Sequence, residues 1–297
     1  MNKIMKSLLT ILIFCSFQKL YSQDSLYNVA YSIACHNCYD PRYAKNIEDV
    51  FLYTKTIEID IWDSYWLSGG WKAMNNNWYV KHDPRDKGNI NCCGGTFRDC
   101  LERIKAWSDQ NANHNVITVF IDKKENWSEP NETRKPNDLD NLLISIFTKE
   151  KIFTPALLLK DKGHLKEALA NYNWPAFDSL KGKFIFVITN GTLITSRNPL
   201  NEYLTLQKNN SVCFVAPEIT NENQIIQPEK FSQENALNVV FYNLQYQNKS
   251  LGEKINSLKY ISRLYGSPET IESYTDLVKS KINFVALFNY KLLIKPD

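Results

Sequence analysis

The feature that most constrains the fold is a short run, Thr56 to Asp63, in which acidic residues alternate with isoleucines. Side chains alternate between the two faces of a β-strand, so Glu58 and Asp60 share one face and the isoleucines share the other. Two carboxylates on one face repel each other unless a cation balances them. The run therefore predicts a strand whose acidic residues belong to a functional site.

Other apolar runs also end in polar side chains. His36 and Asn37 follow the first run, His82 follows a short run after the acidic strand, and Asp122 closes a fully apolar run. In a barrel of parallel strands, polar residues at the C-terminal strand ends meet at one mouth. We therefore expect these residues to lie close together with the acidic pair.

The strand count favours an α/β fold, a somewhat irregular (β/α)8 barrel of the TIM type. Helices are predicted at residues 44–54, from Thr96 or Asp99 to about residue 110, and at residues 139–147, 253–264 and 269–281. Residues 156–159 are an ambiguous extra strand. No repeat or linker indicates a second domain, so residues 24–297 are predicted to form one domain. The predicted strands are residues 28–34, 56–62, 78–81, 116–121, 184–189, 212–216, 239–243 and 284–289.

The first 23 residues have the layout of a secretory signal peptide, with lysines before a short apolar run and a polar exit. Cleavage is expected near Ser22 or Gln23, giving a secreted or periplasmic protein. It removes three lysines and no acidic residue, which lowers the formal net charge from +3 to zero. A neutral chain lacks the basic surface that nucleic acids require. We expect a monomer with no nucleic-acid partner.

Six cysteines remain after cleavage, and export makes disulfides expected. Six cysteines allow fifteen pairings, so the sequence does not fix the pattern. The preferred bridge is the short loop from Cys92 or Cys93 to Cys100. Cys35 and Cys38 are interpreted as structural thiols or a disulfide, because partners for a zinc site are missing.

The residues at the strand ends supply what phosphodiester cleavage needs: a cation on the phosphoryl oxygens, a base and an acid. His36 and His82 are free to act as the acid and the base, because imidazoles change protonation near neutral pH. Oxygen ligands of the kind that hold calcium or magnesium are provided by Asn37, Glu58, Asp60 and Asp122. The pattern predicts a metal-assisted phosphodiesterase.

The succession His36-Asn37, Glu58-x-Asp60, His82 and a final acid resembles the phosphatidylinositol-specific phospholipase C superfamily. Within it, the chain looks most like the calcium-dependent phosphoinositide phospholipase C family of bacteria and fungi. The resemblance is dense from residue 34 to about residue 124. It departs at residue 38, a cysteine where many relatives carry a small hydroxyl residue, and at Asp122, where the eukaryotic branch often has glutamate.

The resemblance implies a secreted phosphoric diester hydrolase that contains calcium, with magnesium as the alternative. It implies that His36 is the general base or stabilises the transition state, and that His82 is the general acid. Members that cleave phosphoinositides hold inositol phosphates with basic residues. The candidates for that role here are Lys124, Lys160 and Arg197. The expected substrate is a phospholipid or a glycerophosphodiester, reached through transient contact with a membrane surface.

Two alternatives stay open. Glycerophosphodiester phosphodiesterases share a barrel, a Glu-x-Asp pair and a His-Asp pair such as His82-Asp83, but they prefer His-Arg after the first strand, where this chain has His36-Asn37. The second alternative is a barrel without catalysis that binds a lipid or sugar through the aromatic residues around positions 62–79. The retention of both histidines and all the acids argues against it.

Overall fold

The structure is a computed structural model that describes residues 25–67, 70–73, 77–83, 85–127, 134–194 and 198–293. The expected signal peptide and Arg197 lie outside the described residues. Within the described ranges, no helix is both long enough and apolar enough to cross a membrane.

Eight parallel strands form a nearly closed barrel, as the sequence predicted. They pair in the order β8-β7-β6-β2-β1-β11-β10-β9, and one parallel bridge between Glu218 and Asn243 joins the segment after β8 to β9. The strands of the described chain are β1 (Ser32–Cys35), β2 (Thr56–Trp62), β3 (Ser64–Leu67), β4 (Gly70–Ala73), β5 (Tyr79–Val80), β6 (Ile117–Glu125), β7 (Phe184–Ile194), β8 (Phe214–Val215), β9 (Phe241–Gln245), β10 (Ile261–Tyr265) and β11 (Phe284–Leu287).

The outer layer consists of short helices. Thr96 caps the first helix and exchanges hydrogen bonds with Asp99 in a capping box, so the helix begins at the earlier of the two predicted starts, Thr96 and Asp99. The α-helices of the described chain are α1 (Phe97–Gln110), α2 (Pro136–Phe147), α3 (Pro155–Leu159), α4 (Leu165–Asn171), α5 (Pro199–Gln207), α6 (Asn223–Ile226), α7 (Gln233–Ala236), α8 (Leu251–Ser257) and α9 (Ile271–Lys279). Residues 156–159 are thus helical rather than an extra strand, and residues 44–54 contain a 3-10 helix, Ile47–Leu52.

One predicted strand and part of one predicted helix were wrong, and the number of barrel strands stays at eight because the two errors offset each other. Residues 78–81 do not add a barrel strand, because β5 pairs antiparallel with β2 outside the ring. A parallel neighbour needs a long crossover, and the chain after β2 instead forms the β3–β4 hairpin. The helix predicted for residues 253–264 ends at Ser257, and residues 261–265 form β10. Between them Lys259 adopts a positive φ of 64°, which ends the helical turn.

The described residues contain two disulfides, Cys35–Cys38 and Cys93–Cys100. The second is one of the two bridges that the sequence favoured. Cys92 and Cys213 remain free. Disulfides of this kind fit a protein that folds in an oxidising compartment.

Candidate active site

Three carboxylates converge at the mouth of the barrel, where β2 and β6 end. The parallel register pairs Asp60 directly with Asp122, and Glu58 lies two residues earlier on the same face. All three residues are buried. Each offers an oxygen, and these oxygens all lie within 4.8 Å of one another. The alternation read from the sequence therefore produces a compact acidic cluster.

Asn37 joins this cluster from the turn after β1. Its side chain is buried, and its Nδ2 lies 3.2 Å from Nδ1 of His82. The Oδ1 atom of Asn37 and the Oδ1 atom of Asp60 are both buried without a hydrogen-bond partner. A buried oxygen without a donor is costly, and a hard cation satisfies such oxygens. The residues present thus fit a calcium ion.

Two basic side chains neutralise part of the acidic cluster. Lys124 Nζ lies 2.5 Å from Asp122 Oδ2 and 3.1 Å from Asp60 Oδ2. Burial alone would lower the pKa of Lys124, but the carboxylates of Asp122 and Asp60 raise it above its usual value. Thr189 Oγ1 donates to Asp122 Oδ1 at 2.9 Å. Burial alone would raise the pKa of Asp122, but Lys124 and Thr189 lower it below its usual value.

Arg263 is the second basic residue, and sequence reasoning missed it. Its Nη2 lies 2.5 Å from Glu58 Oε2, and its Nη1 donates to Asn243 Oδ1 at 2.8 Å. Burial raises the pKa of Glu58, and Arg263 acts against that effect. The sequence predicts a helix over residues 253–264, and a helical assignment does not indicate that Arg263 points inward from a strand. Ile261, Arg263 and Tyr265 are spaced two residues apart, as on one face of a β-strand, and this spacing was the available indication that Arg263 shares a face with its neighbours.

The two histidines flank the cluster in different surroundings. His36 is mostly buried; its Nε2 lies 3.5 Å from Glu58 Oε2, and its ring stacks on Phe288 with the ring centroids 4.5 Å apart. Burial and the charge of Arg263 lower the pKa of His36 to about 3. The side chain of His82 is 52% exposed, and a hydrogen bond from its Nδ1 to Asp60 Oδ2 at 3.3 Å raises its pKa. Near pH 7, His36 is therefore neutral, whereas His82 is protonated more readily than a free imidazole.

A second polar group lies at the ends of β8 to β10. Tyr265 donates its hydroxyl to Glu218 at 2.5 Å, and Gln245 donates to the other oxygen of Glu218 at 2.8 Å. The ring centroid of Tyr265 lies 6.3 Å from that of His36, so this group borders the catalytic histidine candidate. Gln245 and Tyr265 are the last residues of β9 and β10, and Glu218 follows β8. None of the three was singled out from the sequence.

The structure places the basic residues proposed to hold substrate in different parts of the molecule. Lys124 lies inside the acidic cluster. Lys160 follows α3 in the outer layer, and its ammonium lies 4.3 Å from the ring centroid of Tyr172. The structure therefore does not bring Lys160 together with the site residues.

Comparison with known families and structures agrees with this geometry. The sequence model of the family described as phosphoinositide phospholipase C, Ca2+-dependent, matches residues 87–235, half of the chain. No curated protein sequence is matched. The chain is similar to a calcium-dependent phosphoinositol-specific phospholipase C from a Gram-negative bacterium, Pseudomonas sp. The structure of that enzyme with myo-inositol is 29% identical, with 91% of this chain and 92% of that chain covered and a TM-score of 0.82.

A second crystal form of the Pseudomonas enzyme is 28% identical, with 94% of this chain and 95% of that chain covered and a TM-score of 0.83. The calcium-dependent phosphatidylinositol-specific phospholipase C of Streptomyces antibioticus is 18% identical, with 90% and 96% coverage and a TM-score of 0.79, and it shares the fold. The chain belongs to the calcium-dependent phosphoinositide phospholipase C family and is a phosphodiester hydrolase of the phospholipase C type.

Proposed function

We propose that the protein is an exported phospholipase C that uses calcium to cleave a phosphodiester of the phosphatidylinositol class. The main support for the proposal is a buried cluster of candidate oxygen ligands, with His36 next to Glu58 and His82 next to Asp60. The candidate ligands are Asn37, Glu58, Asp60 and Asp122. The disulfides support export. Residues 24–297 are proposed to form one catalytic barrel, and the protein is proposed to act as a monomer. Magnesium is the alternative ion.

In the proposed mechanism, bound calcium supplies positive charge for the phosphoryl oxygens. His36 is neutral near pH 7 because its pKa is lowered, so its imidazole can accept the proton of the attacking hydroxyl. His82 holds Nδ1 against Asp60, which leaves Nε2 on the half-exposed side of the ring to protonate the leaving oxygen. Lys124 adds a second positive charge beside the carboxylates.

The headgroup is proposed to be a polyol such as inositol. Glu218, Gln245 and Tyr265 offer hydrogen-bonding groups beside His36, and the Pseudomonas relative was solved with myo-inositol. The β3–β4 hairpin begins directly after β2, at the mouth, and its sequence is rich in Trp and Tyr. We expect this hairpin to meet the membrane surface that carries the lipid, since Trp and Tyr favour that interface.

The test uses purified residues 24–297 with phosphatidylinositol in mixed micelles and with soluble glycerophosphoinositol, each with calcium, magnesium or chelator. We expect calcium-dependent cleavage of the lipid, lowered about 10²–10⁴-fold by His36→Ala and by His82→Ala. His164→Ala is the matched control, because His164 precedes α4 in the outer layer. Phosphorus NMR separates a cyclic phosphate, formed by internal attack, from an open phosphate formed by water. Cleavage of glycerophosphoinositol alone would instead indicate a glycerophosphodiesterase.

A further inference from the structure

The segment that carries His36 and Asn37 is closed by a covalent bond. Cys35 is the last residue of β1, Cys38 follows three residues later, and the two form a disulfide with their Cα atoms 5.5 Å apart. Both cysteines are fully buried. The candidate general base and one candidate metal ligand therefore lie inside a loop of four residues.

The conformation of Asn37 within this loop is unusual for a residue other than glycine. Its φ is +53°, in the left-handed region, which asparagine tolerates better than most residues but still at a cost. Asp40 N donates to Asn37 O at 2.9 Å and closes the turn. The side chain is 2% exposed, and its Oδ1 has no hydrogen-bond partner. A strained backbone holding an unpartnered buried oxygen persists only where its surroundings enforce it.

The disulfide ties this loop to the most rigid part of the molecule. Cys35 pairs with Ile57 of β2 on one side and with Leu287 of β11 on the other. Through the disulfide, Cys38 is fixed to the same strand end. On its far side, the Cys38 carbonyl accepts a weak hydrogen bond from Cys92 Sγ at 3.5 Å. The covalent link is the strongest restraint among these contacts.

We propose that the Cys35–Cys38 disulfide is a positioning device that holds Asn37 in its ligating geometry and so sets the calcium affinity of the site. The inference rests on the proposed function, in which Asn37 is a metal ligand. It implies that the full-affinity site forms only in the oxidised chain. Supporting groups that orient a metal ligand typically change metal affinity 10- to 100-fold when removed.

The chain provides a matched control. Cys93–Cys100 is also a short, buried disulfide, but it joins the loop before α1 to the first turn of that helix. Cys35→Ala/Cys38→Ala is therefore compared with Cys93→Ala/Cys100→Ala. Calcium Kd is measured by isothermal titration calorimetry, and thermal unfolding is recorded in chelator.

We expect the first variant to bind calcium at least about tenfold more weakly than wild type. The second variant should lose thermal stability but keep its calcium Kd within about twofold, because the Cys93–Cys100 bond lies outside the loop of residues 35–38 and does not include the Cys92 side chain that contacts Cys38. Equal calcium affinity in wild type and Cys35→Ala/Cys38→Ala overturns the inference alone. Absence of calcium binding in wild type overturns both the metal site and this inference.

A second experiment covers the case in which Cys35→Ala/Cys38→Ala does not fold. In the Cys93→Ala/Cys100→Ala background, dithiothreitol opens the remaining disulfide of the described chain: the S–S bond takes up two electrons and two protons to give two thiols, and the dithiol becomes a cyclic disulfide. Calcium Kd should rise at least about tenfold on reduction and recover on reoxidation. Unchanged Kd, with mass spectrometry showing Cys35 and Cys38 both alkylated, overturns the inference.

Discussion

Lys124 occupies the acidic cluster in a way that competes with a metal ion. Its ammonium contacts the Oδ2 atoms of both Asp60 and Asp122, which are candidate ligand atoms. Replacing it with the neutral side chain in Lys124→Met removes that competition, so we expect calcium to bind about tenfold more tightly, or by about 1.4 kcal/mol. Hydrolysis should slow, since a positive charge near the phosphate is lost. Calorimetry and initial rates check both expectations.

Lys160→Met is the control for Lys124→Met, because it removes the same charge from the outer layer. It should leave calcium affinity unchanged. Weaker calcium binding by Lys124→Met would contradict the prediction and would mean that Lys124 supports the site rather than competing for it.

Phe288 restricts the orientation of His36. The two rings are stacked with an interplanar angle of 8°, and Tyr43 stacks on Phe288 with centroids 4.4 Å apart. Glu269 fixes the backbone there by accepting from Phe288 N at 2.7 Å. Phe288→Leu keeps an apolar side chain without a flat face, so we expect kcat to fall about 10- to 100-fold at little changed KM, since a displacement of about 1 Å at a reacting group can cost about 100-fold.

Phe288→Tyr is the conservative comparison and should retain most of kcat, because it keeps the aromatic face. The prediction fails if both substitutions lower kcat equally, or if Phe288→Leu raises KM without changing kcat.

The site residues that could be identified from the sequence belong to local patterns. The site residue that was missed is recognisable only by a partner far away along the chain. Glu58 and Asp60 were found because strand periodicity is local, and the histidines because they end apolar runs. Arg263 contacts Glu58 from 205 residues away. Nothing local shows that β10 is a neighbour in space, so the pairing of a buried guanidinium with this acid could not be predicted.

A strand or a helix could be predicted where the spacing of its apolar residues matched only one type of element. It could not be predicted where the spacing fitted both a strand and a helix. Residues 255–264 place apolar side chains at spacings compatible with a helix, and only the turn at Lys259 separates α8 from β10. β5 contains two residues, too few to show a direction of pairing. By contrast, α1 has a capping box at its start, so its beginning was narrowed to Thr96 or Asp99, and its end near residue 110 was predicted correctly.

Asp140 of α2 connects three elements of the outer layer and should make their packing sensitive to pH. It accepts from the Tyr203 hydroxyl of α5 at 2.7 Å and from Val212 N before β8 at 3.3 Å. Burial raises the pKa of Asp140 from 3.8 to about 7. The folded state therefore holds this proton more tightly than the unfolded chain, so the associated stability is full below pH 3.8 and is lost as pH rises to about 7.

Asp140→Asn removes this titration while keeping a side-chain oxygen that can accept from Tyr203. The free energy of unfolding of wild type relative to Asp140→Asn should fall by up to about 1.4 kcal/mol per pH unit between roughly pH 4 and 7. Urea unfolding of both proteins at several pH values measures the difference. A difference that is constant with pH would show that Asp140 does not titrate in this range.

For the molecule as a whole, the sequence predicted a barrel of eight parallel strands, although one of the eight was misassigned. Closure depends on long-range pairing that no local pattern reports: β8 and β9 are joined through a bridge between Glu218 and Asn243. Both residues belong to the network at the mouth, since Glu218 accepts from Tyr265 and Asn243 accepts from Arg263. The junction between β8 and β9, where the barrel closes, therefore involves residues of the same polar network as the proposed substrate site.

This connection predicts that calcium stabilises the whole fold rather than only the site. The cluster contains three buried carboxylates and only two basic side chains to balance them. Glu58 pairs with Arg263, which donates to Asn243 at the junction between β8 and β9. Calcium at 100 times its Kd should raise the free energy of unfolding by about 2.7 kcal/mol, provided that the unfolded chain does not bind it. Thermal unfolding with calcium and with chelator measures the shift.

Glu58→Gln should largely abolish this calcium-dependent shift, whereas Asp83→Asn should keep it. Asp83 is next to His82 but pairs with Arg85 outside the cluster, so its replacement removes a nearby negative charge without removing a ligand. A calcium shift that survives in Glu58→Gln would place the bound ion elsewhere. A shift lost equally in both variants would indicate a response to overall negative charge rather than binding at the ends of β2 and β6.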